Sequence, residues 1–113
     1  MIRHVFLWNV DPNASEDAAE RILAAMRRIE NHPLTARSWW IGPDRPPRGT
    51  EDSGSRWEYG VITDYDDEEH FVAFHATVEV LAVSAEINTL ISGFAIFDFE
   101  IESEAVVSAV TTG

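Results

Sequence analysis

The residue best equipped for chemistry in this 113-residue chain is His4. It stands in Ile2-Arg3-His4-Val5-Phe6-Leu7-Trp8-Asn9-Val10, a β-branched, aromatic and apolar run that favours a strand. Strand side chains alternate between faces, so His4 shares one face with Ile2, Phe6, Trp8 and Val10, and the other carries Arg3, Val5, Leu7 and Asn9. Both faces are largely apolar, which predicts a central strand covered on both sides. An imidazole in such a row has an ordinary pKa of about 6.5 and can move a proton near neutrality. Burial would favour its neutral, basic form. The same residue reads equally as a core histidine bonded to a backbone carbonyl.

Tyr59 is the second candidate. It lies in Arg56-Trp57-Glu58-Tyr59-Gly60-Val61-Ile62-Thr63-Asp64-Tyr65, where Trp57, Tyr59, Val61, Thr63 and Tyr65 share one face. Its phenol can donate to a carbonyl or enolate oxygen as charge develops there. His75 falls where a short helix ends, a place suited to bonding backbone groups or offsetting the C-terminal dipole. His32, before Pro33, and His70, in an acidic helix start, read as surface residues. Four tryptophans, Trp8, Trp39, Trp40 and Trp57, either stack a planar ligand or supply core and interface mass. Arg45 and Arg48 stand in a long loop, where they clamp a carboxylate or are simply solvated.

Other chemistries lack their signatures. The chain has no cysteine, which excludes disulfides, thiol catalysis and thiolate metal sites. His70 and His75 are spaced poorly for a helical metal pair, and neither a phosphate-binding glycine loop nor a nucleophile elbow occurs. No metal and no cofactor is expected. The formal net charge of −12 repels phosphate backbones and anionic lipid, so nucleic acid and membrane are not expected partners. No apolar run is long enough to span a bilayer and the N-terminus lacks signal-peptide character, which points by default to the cytoplasm.

The elements that must position these groups follow in order. Pro12 stops the first strand, and Asn13 or Ser15 is placed to cap a helix. Ala18, Ile22, Met26 and Ile29 recur at helical spacing, and Pro33 ends that helix near 31–33. Residues 35–41 read as a second strand, residues 42–55 as a loop rich in Pro, Gly, Asp and Ser, and residues 56–65 as a third strand. Asp66 is placed to cap a short helix bearing Phe71 and Phe74. A second helical segment spans about 77–91. Val78-Leu81-Ala82-Ala85 and Val80-Val83-Ile87-Leu90 both serve as its buried face, and Gly93 closes it. Residues 94–101 form the last strand, leaving a weakly patterned tail at 103–113. Strand, helix, strand, strand, helix, strand describes an α+β, ferredoxin-like βαββαβ domain with a four-stranded antiparallel sheet, over residues 1–102. One sheet face then needs cover for Val5 and Leu7 or Phe99 and Ile101, which predicts a homodimer.

Ile2-Arg3-His4-Val5, the capped helix after a proline turn, Glu68-Glu69-His70-Phe71, Phe74-His75-Ala76-Thr77 and Phe97-Asp98-Phe99 together resemble the stress-responsive dimeric α/β-barrel (Dabb) domain. That resemblance implies a dimeric α+β barrel and a pocket between sheet and helices. It also implies relatives ranging from plant stress proteins to olivetolic acid cyclase and cofactor-free monooxygenases. The family's first-strand histidine falls at His4, its third-strand polar residue near Tyr59, and the first histidine of its His-Pro-Ala-His segment at His75. The second histidine of that segment is Val78 here and the helix tyrosine is Val72, so the aldol-cyclase pair is missing. The implied pocket wall is Phe6, Trp8, Ile22, Leu23, Met26, Val61, Phe71 and Leu81, with Trp57 beside it.

The function expected is a cofactor-independent lyase, isomerase or cyclase acting by acid–base catalysis on a small apolar carbonyl or aromatic compound. His4 moves the proton and Tyr59 stabilises the oxygen. A non-catalytic ligand-binding or stress-protective dimer and a cofactor-free monooxygenase remain the alternatives.

Overall fold

A computed structural model describes residues 1–45 and 56–101. The chain runs β1 (Ile2–Val10), α1 (Ala18–Arg27), β2 (Ser38–Pro43), β3 (Tyr59–Tyr65), α2 (Glu68–His75), α3 (Val78–Asn88) and β4 (Ile91–Glu100). The strands form one antiparallel sheet in the order β2-β3-β1-β4. This is the expected α+β ferredoxin-like arrangement. Arg48 and the tail at 103–113 lie outside the described residues.

Several boundaries differ from the sequence expectation, each for a local reason. Asp17 rather than Asn13 or Ser15 occupies the α1 N-cap, without a side-chain cap bond. Asp11 instead takes the Asn13 amide at 2.9 Å, closing the turn that precedes the helix. Helix α1 ends at Arg27, and tight turns carry the chain on: the His32 amide bonds the Ile29 carbonyl and the Thr35 amide that of His32. Asp67, not Asp66, caps α2 by accepting from the His70 amide at 2.8 Å. Strand β2 extends to Pro43, which an edge strand tolerates because no ladder donor is needed there.

Helix α3 is capped by Thr77 and ends at Asn88, where Thr89 donates to the Glu86 carbonyl at 2.7 Å. Gly93 therefore does not close it. It lies inside β4 opposite Asn9, where a Cβ atom would reach the Trp57 ring at 3.9 Å. The two readings of the α3 face are resolved: Val80, Val83 and Ile87 are buried with Leu90, while Val78 and Leu81 face outward.

The core lies between the sheet and the helices. Ala18, Ile22, Ala25 and Met26 of α1 and Phe74 of α2 meet Trp8, Val61 and Tyr65 of the sheet. Burying a side chain the size of Ile22 contributes roughly 1.5–3 kcal/mol. The opposite sheet face carries Val5, Leu7, Ile62, Trp40, Phe97 and Phe99. Trp40 is 54% and Phe97 66% exposed, so within one protomer β1 is covered on a single side. Asp64 sits among these residues, 2% exposed. Arg3 forks onto its carboxylate at 2.8 and 3.0 Å, and the Ser38 hydroxyl adds a bond of 2.8 Å. These hydrogen bonds, Arg3's foremost, hold the Asp64 carboxyl below the usual carboxylate range.

Candidate active site

A cavity of about 270 Å³ lies between the helix-facing side of the sheet and the three helices. Phe6, Met26, Val61, Val83 and Ile87 give it apolar walls. Its polar groups on the sheet and α2 are His4, Thr63, Tyr65 and His75. Strand register explains why they converge. Trp39, Thr63, His4 and Asp98 are successive partners across β2, β3, β1 and β4, one residue from each strand in a single row.

His4 is 12% exposed at its side chain, and its Nδ1 is hydrogen-bonded to Asp98 Oδ1. A carboxylate only accepts, so Nδ1 carries the proton, and in the neutral form of the ring Nε2 is the bare nitrogen. The partner is thus a carboxylate from the neighbouring strand, not a backbone carbonyl. The His4 ring meets the edges of Phe71 and His75 at centroid distances of 5.5 and 5.2 Å.

His75 ends α2, and its Nδ1 donates to the Phe71 carbonyl at 2.9 Å, which fixes its tautomer. Burial pushes its pKa below the ordinary histidine value, so it stays neutral with Nε2 unprotonated. Tyr65 is 1% exposed and enclosed by His70, Phe71, Phe74 and His75. Burial pushes its phenol up to about 12, which keeps the proton on the hydroxyl and makes it a donor. Thr63 is 2% exposed, and its hydroxyl has no hydrogen-bond partner among the described residues.

The remaining histidines are not the surface residues expected. His70 donates from Nε2 to the Leu34 and Thr35 carbonyls at 2.9 and 3.0 Å and accepts the Asp66 amide at Nδ1. It ties the start of α2 to the chain entering β2. His32 accepts the Leu34 amide at 3.0 Å and turns its ring edge toward Phe74.

Among the residues anticipated from sequence, His4, Phe6, Met26, Val61 and His75 line the cavity. Tyr59 does not. It pairs with Trp8, four residues along β1 from His4, and their rings stack at 5.6 Å. Trp8 stacks in turn on Phe6 at 5.4 Å, so Tyr59 ends a three-ring pile. Trp8 and Ile22 are sealed in the core, and Leu81 is exposed. Phe71 backs the His4 and His75 rings, and Trp57 packs beside Gly93. Sequence reading passed over Asp98, Thr63 and Tyr65. Asp98 was legible in principle, because alternation puts it on the face opposite Phe97 and Phe99. Val72 and Val78, which replace the family's tyrosine and second histidine, both point to solvent, 55% and 78% exposed. Among the described residues no three His, Asp or Glu side chains converge to hold a metal ion. No single helix there is long and apolar enough to cross a membrane.

No curated protein matches the sequence. A hydroxynitrile lyase from Passiflora edulis superposes with a TM-score of 0.78 at 16% identity, over 90% of this chain and 94% of that one. A dimeric ferredoxin-like protein of unknown function from Thermobifida fusca gives 0.72 at 20% identity, over 88% and 90%. An antibiotic biosynthesis monooxygenase gives 0.66 at 12%, over 91% and 100%. At these identities the likeness is one of fold. The model of the stress responsive A/B barrel domain (Dabb) matches residues 2–101, and the chain belongs to that family.

Proposed function

We propose that this protein is a cofactor-independent acid–base enzyme acting on a small, largely apolar carbonyl or aromatic compound, by elimination, isomerisation or ring closure. The observation that carries this reading is His4 lining the cavity with its Nδ1 bonded to Asp98. Nε2 of His4 takes the substrate proton. Asp98 holds the ring and stabilises the imidazolium that forms, and the same nitrogen returns the proton at the end of the cycle. Tyr65 replaces Tyr59 as the donor toward an oxygen on which charge develops. His75, kept neutral, supplies an acceptor on the opposite wall. The fold shared with a hydroxynitrile lyase supports elimination as the reaction type. The outward position of Val72 and Val78 leaves an aldol-cyclase pair without support. Monooxygenase chemistry draws on fold likeness alone, since among the tryptophans only Trp39 lines the cavity.

The same reading includes a homodimer. The uncovered sheet face with Val5, Leu7, Phe97 and Phe99 supports it, as do structural neighbours described as dimeric. The test of function is turnover of a panel of aryl aldehydes, ketones and their hydroxynitriles by wild type and His4→Ala. Turnover by wild type alone is expected. Equal turnover in the variant removes His4 from the mechanism, and saturable binding without turnover makes the protein a binding dimer.

A further inference from the structure

We infer that the cavity is shaped for an uncharged, single-ring compound bearing one carbonyl oxygen, and that the Thr63 hydroxyl is the group that receives that oxygen on binding, Tyr65 meeting only the charge that develops on it during the reaction. The inference names the ligand class of the site proposed above. It rests on that site being open to a ligand and not on catalysis there.

The first observation is Thr63 itself. It is the direct partner of His4 across β1 and β3, on the cavity side of the sheet, and 2% exposed. Its hydroxyl makes no hydrogen bond among the described residues. Thr63 is near enough to lower the Tyr65 phenol, second only to burial among the influences on it, yet no bond between the two hydroxyls meets hydrogen-bond distance and angle. A buried donor left without an acceptor is costly, and a ligand oxygen would relieve that cost. Register places such an oxygen next to His4, where a proton on the neighbouring carbon comes within reach of the imidazole.

Volume is the second observation. An apolar cavity of about 150 Å³ holds one benzene molecule. At about 270 Å³ this cavity takes one ring and a short substituent. Charge is the third. All eight basic residues of the chain are arginines, and among the described residues none of them lines the cavity. The Asp98 carboxylate stands beside His4. A carboxylate or phosphate group on the ligand would be repelled there and find no arginine among the described residues.

Isothermal titration with three probes tests this: acetophenone, α-methylstyrene and benzoate. α-Methylstyrene replaces the carbonyl oxygen with a methylene of similar size. Wild type is expected to bind acetophenone about tenfold or more tighter than α-methylstyrene, and to bind benzoate most weakly. In Thr63→Val, an isosteric change that removes the hydroxyl, the two neutral probes should bind within about twofold of each other. Thr63→Ser, which restores a hydroxyl, should recover the preference. Equal binding of the neutral probes by wild type, or a preference undiminished in a folded Thr63→Val protein, overturns the proposal. So does benzoate matching acetophenone, or failure of acetophenone to bind at all. The wild-type comparison stands even where Thr63→Val does not fold. If His4→Ala keeps the acetophenone preference and no compound is turned over, catalysis fails and this assignment survives.

Discussion

Asp98 reaches His4 across the β1–β4 pairing and accepts the hydrogen bond of Nδ1–H, so Nε2 is the ring nitrogen left for a proton from elsewhere. A carboxylate in that place orients the imidazole and compensates the charge it gains. Asp98→Asn keeps an oxygen for Nδ1 but loses the charge. Turnover should fall about tenfold to a hundredfold with little change in KM. Steady-state kinetics on the responding substrate check this, and a rise in KM alone would assign Asp98 to binding.

Burial holds the His75 imidazole below its ordinary value, so the folded protein keeps it neutral where the unfolded chain would protonate it. The unfolded state then binds more protons, and stability falls as pH drops below about 6.5, levelling off beneath the depressed folded value. Urea unfolding at two pH values on either side of that window should show the loss in wild type and a smaller one in His75→Gln. The same loss in both proteins would assign the effect to other groups.

The Arg3–Asp64–Ser38 cluster works in the opposite direction. Asp64's carboxyl is lowered chiefly by the Arg3 hydrogen bonds, so its contribution is present above the ordinary carboxylate pKa of about 3.9 and fades as pH falls through the depressed folded value. Arg3 is a third exposed, which weakens the pair relative to a fully buried one. Asp64→Asn should cost about 2 kcal/mol at neutral pH, measured by urea unfolding. A loss below about 0.5 kcal/mol would show that solvent already screens the pair.

Phe97 and Leu81 are both exposed apolar residues, but only Phe97 lies on the uncovered sheet face. Phe97→Asp should shift the protein to monomer in light scattering, while Leu81→Asp should not. A monomeric wild type, or dissociation by Leu81→Asp alone, would place the contact elsewhere.

Fold was legible because period-two alternation in β1 and the helical spacing of Ala18, Ile22 and Met26 are unambiguous signals. His4 was legible as a titratable group in an aromatic row. Its partners were not, because alternation assigns a face but not a register. Tyr59, Thr63 and Tyr65 share a face, and only the pairing of His4 with Thr63 moves Tyr59 away to Trp8. Alternation gives Asp98 a face of β4, but only the placement of β4 beside β1 sets it opposite His4. Helix ends were misjudged where side chains compete for the same amides, as with Asp66 and Asp67. His70 read as a surface residue because its carbonyl partners, on Leu34 and Thr35, are distant in sequence.

The central claim is that His4 presents an unprotonated Nε2 to a ligand while Asp98 holds Nδ1–H. Long-range proton–nitrogen NMR at neutral pH reports both ring nitrogens directly. The account predicts a proton on His4 Nδ1, none on Nε2, and displacement of the Nε2 resonance on saturation with acetophenone. A proton on Nε2 with Nδ1 bare, or resonances unmoved by the bound ketone, would contradict it.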